Sequence, residues 1–173
     1  MSGTVKRIIY PACRAFPDGY GSSARIYCFD GFSYGGWPLD GTGLLKGILK
    51  YSASLTPDTL PKYAMGVGKP EDIIACYKMG YSMFDCVIPT RDARHARIYL
   101  YTKGKLKTLN IGNETNRLDK RPLDKNCMCY ACQNFSRAYL RHLYKVREQV
   151  FYELASIHNI YTFNNVVKSL ENR

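Results

Sequence analysis

Three cysteines and one histidine are the residues of this chain whose spacing indicates a definite chemistry. Cys127, Cys129 and Cys132 lie within six residues of one another, and 25 residues separate Cys132 from His158. Three thiolates and one imidazole form a complete ligand set for tetrahedral zinc. Because a closed four-ligand site leaves no position for water, we expect one structural zinc ion rather than a catalytic one. The alternative is a cluster of reduced cysteines that only pack together.

A second group combines one carboxylate with three arginines. Asp85 lies at the end of an apolar segment, and Arg91, Arg94 and Arg97 follow it. A carboxylate in such a segment is costly unless it is paired or used, and reactive groups collect at the carboxyl ends of strands in α/β proteins. Guanidinium groups bind phosphate in a fork. We therefore predict a reactive Asp85 beside phosphate-binding arginines; the alternatives are a loop-capping Asp and a solvated run of charges.

The charge of the chain favours a polyanionic partner. Its 173 residues carry a net charge of +11, with a pI near 9.4, and 46% of them are hydrophobic. RNA, DNA and membrane surfaces fit this balance, although a basic surface can also be merely solvated. The 15 tyrosines favour stacking on bases over membrane binding. No apolar run predicts a membrane span or a signal peptide, so we expect a cytoplasmic protein.

Short apolar strands that alternate with short helices must position Asp85. Strands are predicted at residues 5–10, 25–32, 62–68 and 82–88, and helices at residues 42–51 and 69–79. Pro89 is predicted to stop the last of these strands. This alternation is typical of parallel βα units. Glycines near the strand ends would let the backbone approach a flat ligand closely; they are Gly35, Gly36, Gly66 and Gly68.

The rest of the chain must bring the late histidine back to the cysteines. We predict a hairpin from strands at residues 98–101 and 106–109, followed by a charged loop at 117–125. One helix is predicted over residues 133–154, with His158 just past its end, and another over residues 161–173.

Several segments together resemble the tRNA-guanine transglycosylases, the queuine and archaeosine tRNA-ribosyltransferase family. In order along residues 25–165, these segments are Tyr63–Asp72, Met83–Arg91, Arg121–Asp124, Cys127–Cys132, Ser136–Leu140 and Ile157–Asn159. The resemblance implies an irregular (β/α)8 barrel of the TIM type with an inserted zinc subdomain. It also implies exchange of guanine at the tRNA wobble position for a 7-deazaguanine, on the route to queuosine or archaeosine.

The resemblance also implies roles for single residues. Asp85 falls on the nucleophile that attacks the ribose and holds the tRNA covalently. Met65, with Gly66, falls where the family binds the base. The glycine pair of the base-recognition loop matches Gly35 and Gly36. The tRNA-contacting positions after the nucleophile match Arg91 and Arg94, with Arg97 next to them, and the zinc ligands are the residues Cys127, Cys129, Cys132 and His158.

The chain departs from the family in three places. The resemblance covers the carboxyl-terminal half, and residues 1–24 offer no counterpart for the second catalytic carboxylate or the base-reading Asp and Gln. Trp37–Gly41 replaces the usual sequence after the glycine pair, and His95-Ala96 replaces Asn-Gly. We therefore expect a divergent segment at 1–24, a partial barrel at 25–105, a zinc subdomain at 106–160 and a terminal helix at 161–173.

Two functional hypotheses follow from these observations. The first is half of a transglycosylase that works with a second protein chain, either a separately encoded amino-terminal half or another copy of itself, because three strands do not close a barrel. The second is a non-catalytic, zinc-stabilised tRNA-binding or dimerisation subunit, or a remnant. Asp85 favours the first hypothesis, because a binding module has no need of a nucleophile.

Overall fold

A computed structural model describes residues 6–7, 32–35, 39–40, 43–102 and 105–171. The chain divides into two compact units, residues 1–86 and 87–173. The division into domains made from the sequence, at residues 24, 105 and 160, remains a prediction. Within the described segments, no helix has the length and apolar character needed to cross a bilayer.

In the described part of the first unit there are short strands and two helices. In chain order its elements are β1 (Lys6–Arg7), β2 (Phe32–Gly35), β3 (Leu39–Asp40), β4 (Gly43–Leu44), α1 (Lys46–Ser54), β5 (Lys62–Ala64), α2 (Pro70–Tyr77) and β6 (Met83–Phe84). Strands β2, β5 and β6 are adjacent and parallel, β1 is antiparallel to β2, and β3 pairs with β4. The parallel βα pattern predicted from the sequence is confirmed for β2, β5 and β6.

The strand preceding Asp85 is shorter than predicted. Only Met83–Phe84 is a strand, not residues 82–88, and Pro89 does not stop it. Pro89 lies instead in the first turn of the next helix, where its fixed φ and missing N–H are tolerated. The strand predicted at 62–68 likewise ends at Ala64, because Gly66 turns the chain with a φ of +73°. Most of the strand predicted at 25–32 lies outside the described residues.

The first helix also differs from its prediction. It begins at Lys46 rather than at residue 42, and its buried positions are Leu49, Ser52 and Ala53. Ile48, directly before the buried Leu49, is exposed. The start of α2 with Pro70 in its first turn is confirmed.

A hairpin and four helices form the second unit. The elements are α3 (Ile88–Arg94), β7 (Arg97–Thr102), β8 (Lys105–Asn110), α4 (Tyr130–Asn134), α5 (Arg137–Lys145) and α6 (Gln149–Glu171). The antiparallel pairing of β7 with β8 confirms the predicted hairpin. Apart from a short 3-10 turn at Glu114–Asn116, the chain between β8 and α4 has no regular structure, as predicted for the charged loop.

The single helix predicted over residues 133–154 is wrong, because the chain breaks twice there. Ser136 caps α5 by accepting a hydrogen bond from the N–H of Tyr139 at 3.3 Å. Arg147 then adopts a φ of +60°, which ends α5 before α6 begins. His158 consequently lies inside α6 rather than past a helix, and the predicted helix at 161–173 is the second half of α6.

Helix α6 supplies one side of the core of the second unit. Its buried residues recur every three or four positions, as a stripe on one helix face requires. They are Phe151, Leu154, Ala155, His158, Asn159, Thr162, Phe163 and Val166. This stripe contacts α3, α4 and β7. The same helix therefore places both His158 and Asn159 in the interior.

Candidate functional site

The three cysteines and the histidine converge on one buried point of the second unit. The Sγ atoms of Cys127, Cys129 and Cys132 lie 3.6, 3.4 and 3.2 Å from Nδ1 of His158. All four ligand atoms lie within 4.8 Å of one another, and all four residues are buried. The loop before α4 and the first turn of α4 carry the thiols, while α6 carries the imidazole.

These distances fit a tetrahedral metal ion. Zinc bonds of about 2.3 Å to sulfur and 2.1 Å to nitrogen give a sulfur–nitrogen edge of about 3.6 Å in a tetrahedron. The three distances of 3.2–3.6 Å are at or slightly below that edge. The donor set therefore fits one metal ion, and thiolates with an imidazole favour zinc over harder cations.

Hydrogen bonds around the cluster fix the orientation of its ligands. Nε2 of His158 lies 2.8 Å from the carbonyl oxygen of Tyr99. A ring nitrogen that faces a carbonyl must carry a proton, so Nδ1 is the nitrogen that would coordinate a metal ion. The N–H of Asp124 donates to Sγ of Cys132 at 3.4 Å. Such contacts raise the affinity of a metal site because the ligands are held in place before the ion binds.

The pKa values of Cys129 and His158 indicate how metal binding at the Cys3His group depends on pH. Hydrogen bonds from Cys127 and Cys132 lower the pKa of Cys129. Burial acts to lower the pKa of His158, but its contacts with Cys127 and Cys129 outweigh this and raise the pKa to about 9. Both shifts favour the charged forms of the two groups. Metal binding must release protons, and affinity rises with pH.

Asp85 lies in the first unit, directly after β6 and exposed to solvent. Its Oδ1 accepts a hydrogen bond from the main-chain N–H of Gly66 at 2.8 Å. Gly66 follows β5, the parallel neighbour of β6, so the bond joins the carboxyl ends of two adjacent strands. A hydrogen bond to Asp85, together with burial, raises the pKa of Tyr63 above its ordinary value. The carboxylate is therefore held by two donors while it remains open to solvent.

The other residues predicted to bind the base are only partly described. Met65 is half-buried and Gly66 is exposed, both directly after β5. Gly35 is the last residue of β2, which pairs with β5. Gly36 lies outside the described residues. The roles of these four residues in base binding remain predictions.

The three arginines belong to the second unit and differ in their surroundings. Nε of Arg91 lies 3.2 Å from Oδ1 of Asp92, and Nη1 of Arg97 lies 3.3 Å from Oδ2 of the same carboxylate. Arg94 is exposed and has no ion pair with any residue that the structure describes. Their contact with RNA remains a prediction.

Sequence reasoning missed four residues around these sites. Tyr63 lies in β5, two positions before Met65, and this two-residue spacing could have indicated it. Asp92 lies in a charged segment and Tyr99 in a predicted hairpin strand, and neither position indicates a role in a site. Asn159 directly follows His158, and its amide bonds the N–H of Tyr99 and the carbonyl oxygens of Pro89 and Arg97.

The elements and sites described so far define an α/β protein with a buried Cys3His group that can hold a metal ion. A family model described as queuine tRNA-ribosyltransferase matches residues 21–173, and the chain belongs to this family. The family supports the TIM-barrel type of fold for the parallel strands.

Curated relatives agree with this assignment. A queuine tRNA-ribosyltransferase of Desulforapulum autotrophicum is 43% identical over 145 residues, which make up 83% of this chain and 38% of the relative. The protein of the same name from Lawsonia intracellularis is 45% identical over 140 residues, or 80% of this chain and 37% of the relative. One from Helicobacter pylori is 39% identical over 145 residues. The chain thus spans less than two fifths of the length of these relatives.

Proposed function

We propose that this chain acts as the carboxyl-terminal half of a tRNA-guanine transglycosylase. It would exchange guanine at the tRNA wobble position for a 7-deazaguanine base, through a covalent bond between Asp85 and the ribose. The environment of Asp85 carries this proposal. The side chain is exposed at the carboxyl end of a parallel strand and is held by the N–H of Gly66. In barrels of this type, reactive groups lie at that end of the strands.

The base exchange assigned to Asp85 takes place in two substitution steps and needs no oxidant or reductant. One carboxylate oxygen attacks the anomeric carbon of the ribose, and the bond from that carbon to guanine breaks. The leaving guanine takes a proton from a general acid. The incoming base then loses a proton, attacks the same carbon and releases the carboxylate. The N–H of Gly66, which engages Oδ1, would hold the carboxylate in place for this attack.

The family resemblance supports a division of labour between two parts of the enzyme. Strands β2, β5 and β6 would be part of a (β/α)8 barrel, with Gly35, Gly36, Met65 and Gly66 beside the base. The general acid and the remaining strands would come from a partner chain or from further sequence. The length of the relatives supports this proposal, since the match covers 38% of the first of them.

The second unit would bind the substrate tRNA and hold one structural zinc ion. Arg91, Arg94 and Arg97 would contact phosphates, and the net charge of +11 favours such a partner. Zinc would be held by Cys127, Cys129, Cys132 and His158, and its binding free energy would stabilise the folded unit. We expect the protein to work in the cytoplasm, where its proposed substrate lies.

A denaturing gel tests the proposal directly. The chain is mixed with an amino-terminal half of a relative and with tRNA, and a covalent protein–RNA band is sought. We expect the band with wild-type protein and none with Asp85→Asn, which is isosteric but cannot form the ester. The chain alone should exchange no guanine, because a missing acid–base partner costs roughly 10²–10⁴ in rate.

The same gel separates the two functional hypotheses. If wild-type protein binds tRNA and zinc yet forms no adduct with any complementary half, the chain is a binding subunit. If the adduct survives Asp85→Asn, another residue is the nucleophile, and the assignment of Asp85 is wrong.

A further inference from the structure

Asp92 is a buried carboxylate in α3 that binds two exposed arginines at once. The residue is 5% exposed. Its Oδ2 accepts a hydrogen bond from the Tyr99 hydroxyl at 2.6 Å and faces Nη1 of Arg97 at 3.3 Å, while its Oδ1 faces Nε of Arg91 at 3.2 Å. We call these four residues the Asp92 cluster: Arg91, Asp92, Arg97 and Tyr99.

Charge and protonation keep this cluster intact near neutral pH. Burial acts to raise the pKa of Asp92, but the bonds from Tyr99 and Arg91 outweigh it and lower the pKa below its ordinary value. Burial and the bond to Asp92 raise the pKa of Tyr99 to about 12. Asp92 is therefore an acceptor and Tyr99 a donor throughout the physiological range. One carboxylate faces two guanidinium groups, so the cluster keeps a positive charge.

The two arginines are bound on one side and open on the other. The side chains of Arg91 and Arg97 are 52% and 59% exposed, although each touches the buried carboxylate. Each guanidinium has five N–H donors, and the contacts with Asp92 occupy only part of them. An arginine that is already ordered loses less conformational entropy when it binds a phosphate.

We propose that Asp92 is a positioning residue that holds Arg91 and Arg97 as a preformed binding site for the phosphates of RNA. The choice of tRNA as the ligand rests on the proposed function above, whereas the ordering of the two arginines does not. Arg94 is the natural comparison, because it is on the same helix and is exposed but forms no ion pair with a described residue.

The carboxylate is required because both of its oxygens are used. An asparagine at position 92 would offer one acceptor oxygen, and its amide N–H groups would face a guanidinium. Asp92→Asn should therefore free at least one arginine while leaving the volume of the buried side chain unchanged. The variant also raises the net charge by one. Added charge alone would strengthen RNA binding, whereas loss of the positioned arginines would weaken it.

The first experiment measures the free protein by NMR. Heteronuclear relaxation of the arginine Nε–Hε groups should show Arg91 and Arg97 ordered and Arg94 mobile in the wild type. In Asp92→Asn, the signals of Arg91 and Arg97 should become as mobile as that of Arg94. Unchanged order of both arginines in this variant would overturn the proposal, whatever happens with RNA.

The second experiment measures tRNA affinity over a series of salt concentrations. Positioning predicts that Asp92→Asn binds about fivefold to tenfold more weakly despite its added positive charge. The slope of log affinity against log salt should become shallower by about one, because a phosphate contact is lost. A mere charge effect predicts tighter binding and a steeper slope, and either result would contradict positioning.

A double-mutant comparison gives the matched control. Arg97→Gln and Arg94→Gln each remove one charge, but only the first should be non-additive with Asp92→Asn. If both pairs are additive in tRNA affinity, the cluster does not act as one site.

If Asp92→Asn does not fold, Asp92→Glu takes its place, since it keeps the charge and moves the carboxylate by one methylene. In this variant too, we expect Arg91 and Arg97 to become more mobile and tRNA to bind more weakly.

The outcomes separate this proposal from the proposed function. If the wild type binds no tRNA at any salt concentration while Asp92→Asn still loosens the two arginines, the role in tRNA exchange fails and the positioning role stands. If tRNA binds and the covalent adduct forms, but both arginines are equally mobile in wild type and variant, the positioning role fails alone.

Discussion

The main-chain carbonyl oxygen of Tyr99 lies 2.8 Å from Nε2 of His158 and accepts its hydrogen bond. The same residue donates its N–H to Oδ1 of Asn159 at 3.0 Å and its hydroxyl to Asp92 at 2.6 Å. One residue of β7 therefore contacts both the Cys3His group and Asp92. His158 of α6 and Asp92 of α3 are thus connected through Tyr99, so a metal ion held by His158 should stabilise more than its own loop.

Removal of one metal ligand should remove both the metal and the folded second unit. We expect Cys129→Ser to lose its zinc and much of its folded population, because structural zinc supplies folding free energy directly. Elemental analysis and circular dichroism measure the two effects. Cys76→Ser is the control, because Cys76 is a buried cysteine of the first unit that does not belong to the Cys3His group. Wild-type protein that is fully folded without any metal would contradict this prediction.

Arg147 offers a stabilising substitution. It follows α5 with a φ of +60°, its N–H bonds the carbonyl of Tyr144, and the N–H of Glu148 bonds that of Leu143. This is a Schellman motif, in which glycine is the favoured residue because it adopts positive φ without strain. Arg147→Gly should raise the free energy of unfolding by about 1 kcal/mol.

Thermal or urea unfolding measures the effect of this substitution. Lys145→Gly is the matched control, since it replaces an exposed basic residue two positions earlier, inside the helix. That variant should lose about 1 kcal/mol, because glycine is a poor helix former. Equal changes in both variants would mean that charge, rather than backbone conformation, decides the result.

The Cys3His group could be found from the sequence because its spacing and chemistry are local. The helices around it could not, because both breaks depend on details that composition does not mark. Ser136 caps α5 through a specific hydrogen bond, and an arginine rather than a glycine occupies the left-handed position after it. A continuous apolar pattern through this segment therefore predicted one helix where there are three.

Asp92 shows a different limit of sequence reasoning. Its arginine neighbours make it part of a charged run, which favours a solvated loop. In the structure, Pro89, Asp92 and Ala93 form the buried face of α3, so the carboxylate turns inward and the arginines stay outside. Only the fold brings Tyr99 to it from β7. The parallel strands of the first unit, in contrast, were predictable because short apolar runs alternate there with helical segments.

Acid should weaken the second unit partly through Asp119. Hydrogen bonds from Arg121, with the added charge of Arg137, hold the pKa of Asp119 well below its usual range. A depressed folded-state pKa stabilises the protein above the unfolded value of about 3.9, and this stabilisation is lost as pH falls from there toward the folded value. The difference in unfolding free energy between wild type and Asp119→Asn should be constant above about pH 5 and shrink below pH 4. A difference that is independent of pH would exclude this linkage.

We expect position 66 to require glycine because of its backbone conformation, although a side chain would fit there. Its φ is +73°, and an added Cβ would meet nothing within 4 Å. Gly66→Ala should therefore cost about 1 kcal/mol of backbone strain and move the N–H away from Asp85. In the adduct assay we expect about a fivefold slower reaction. Gly47→Ala is the control, because Gly47 lies in α1 with equally open space and no positive φ; that variant should gain stability and keep the rate.

Asn159 should stabilise the second unit more than any surface amide can. Its Oδ1 accepts from the N–H of Tyr99, and its Nδ2 donates to the carbonyls of Pro89 and Arg97 at 2.9 and 3.0 Å. Asn159→Ala would remove these three hydrogen bonds from the interior, at a cost of about 2–4 kcal/mol of unfolding free energy. Asn134→Ala is the control, because Asn134 is exposed and bonds only the carbonyl of Tyr130; it should cost less than about 1 kcal/mol.

Hydrogen exchange adds a local readout, since the amide of Tyr99 should exchange much faster in Asn159→Ala and at the wild-type rate in Asn134→Ala. Equal losses in the two variants, or a Tyr99 amide that stays protected without Asn159, would show that α6 is held to β7 by apolar packing alone.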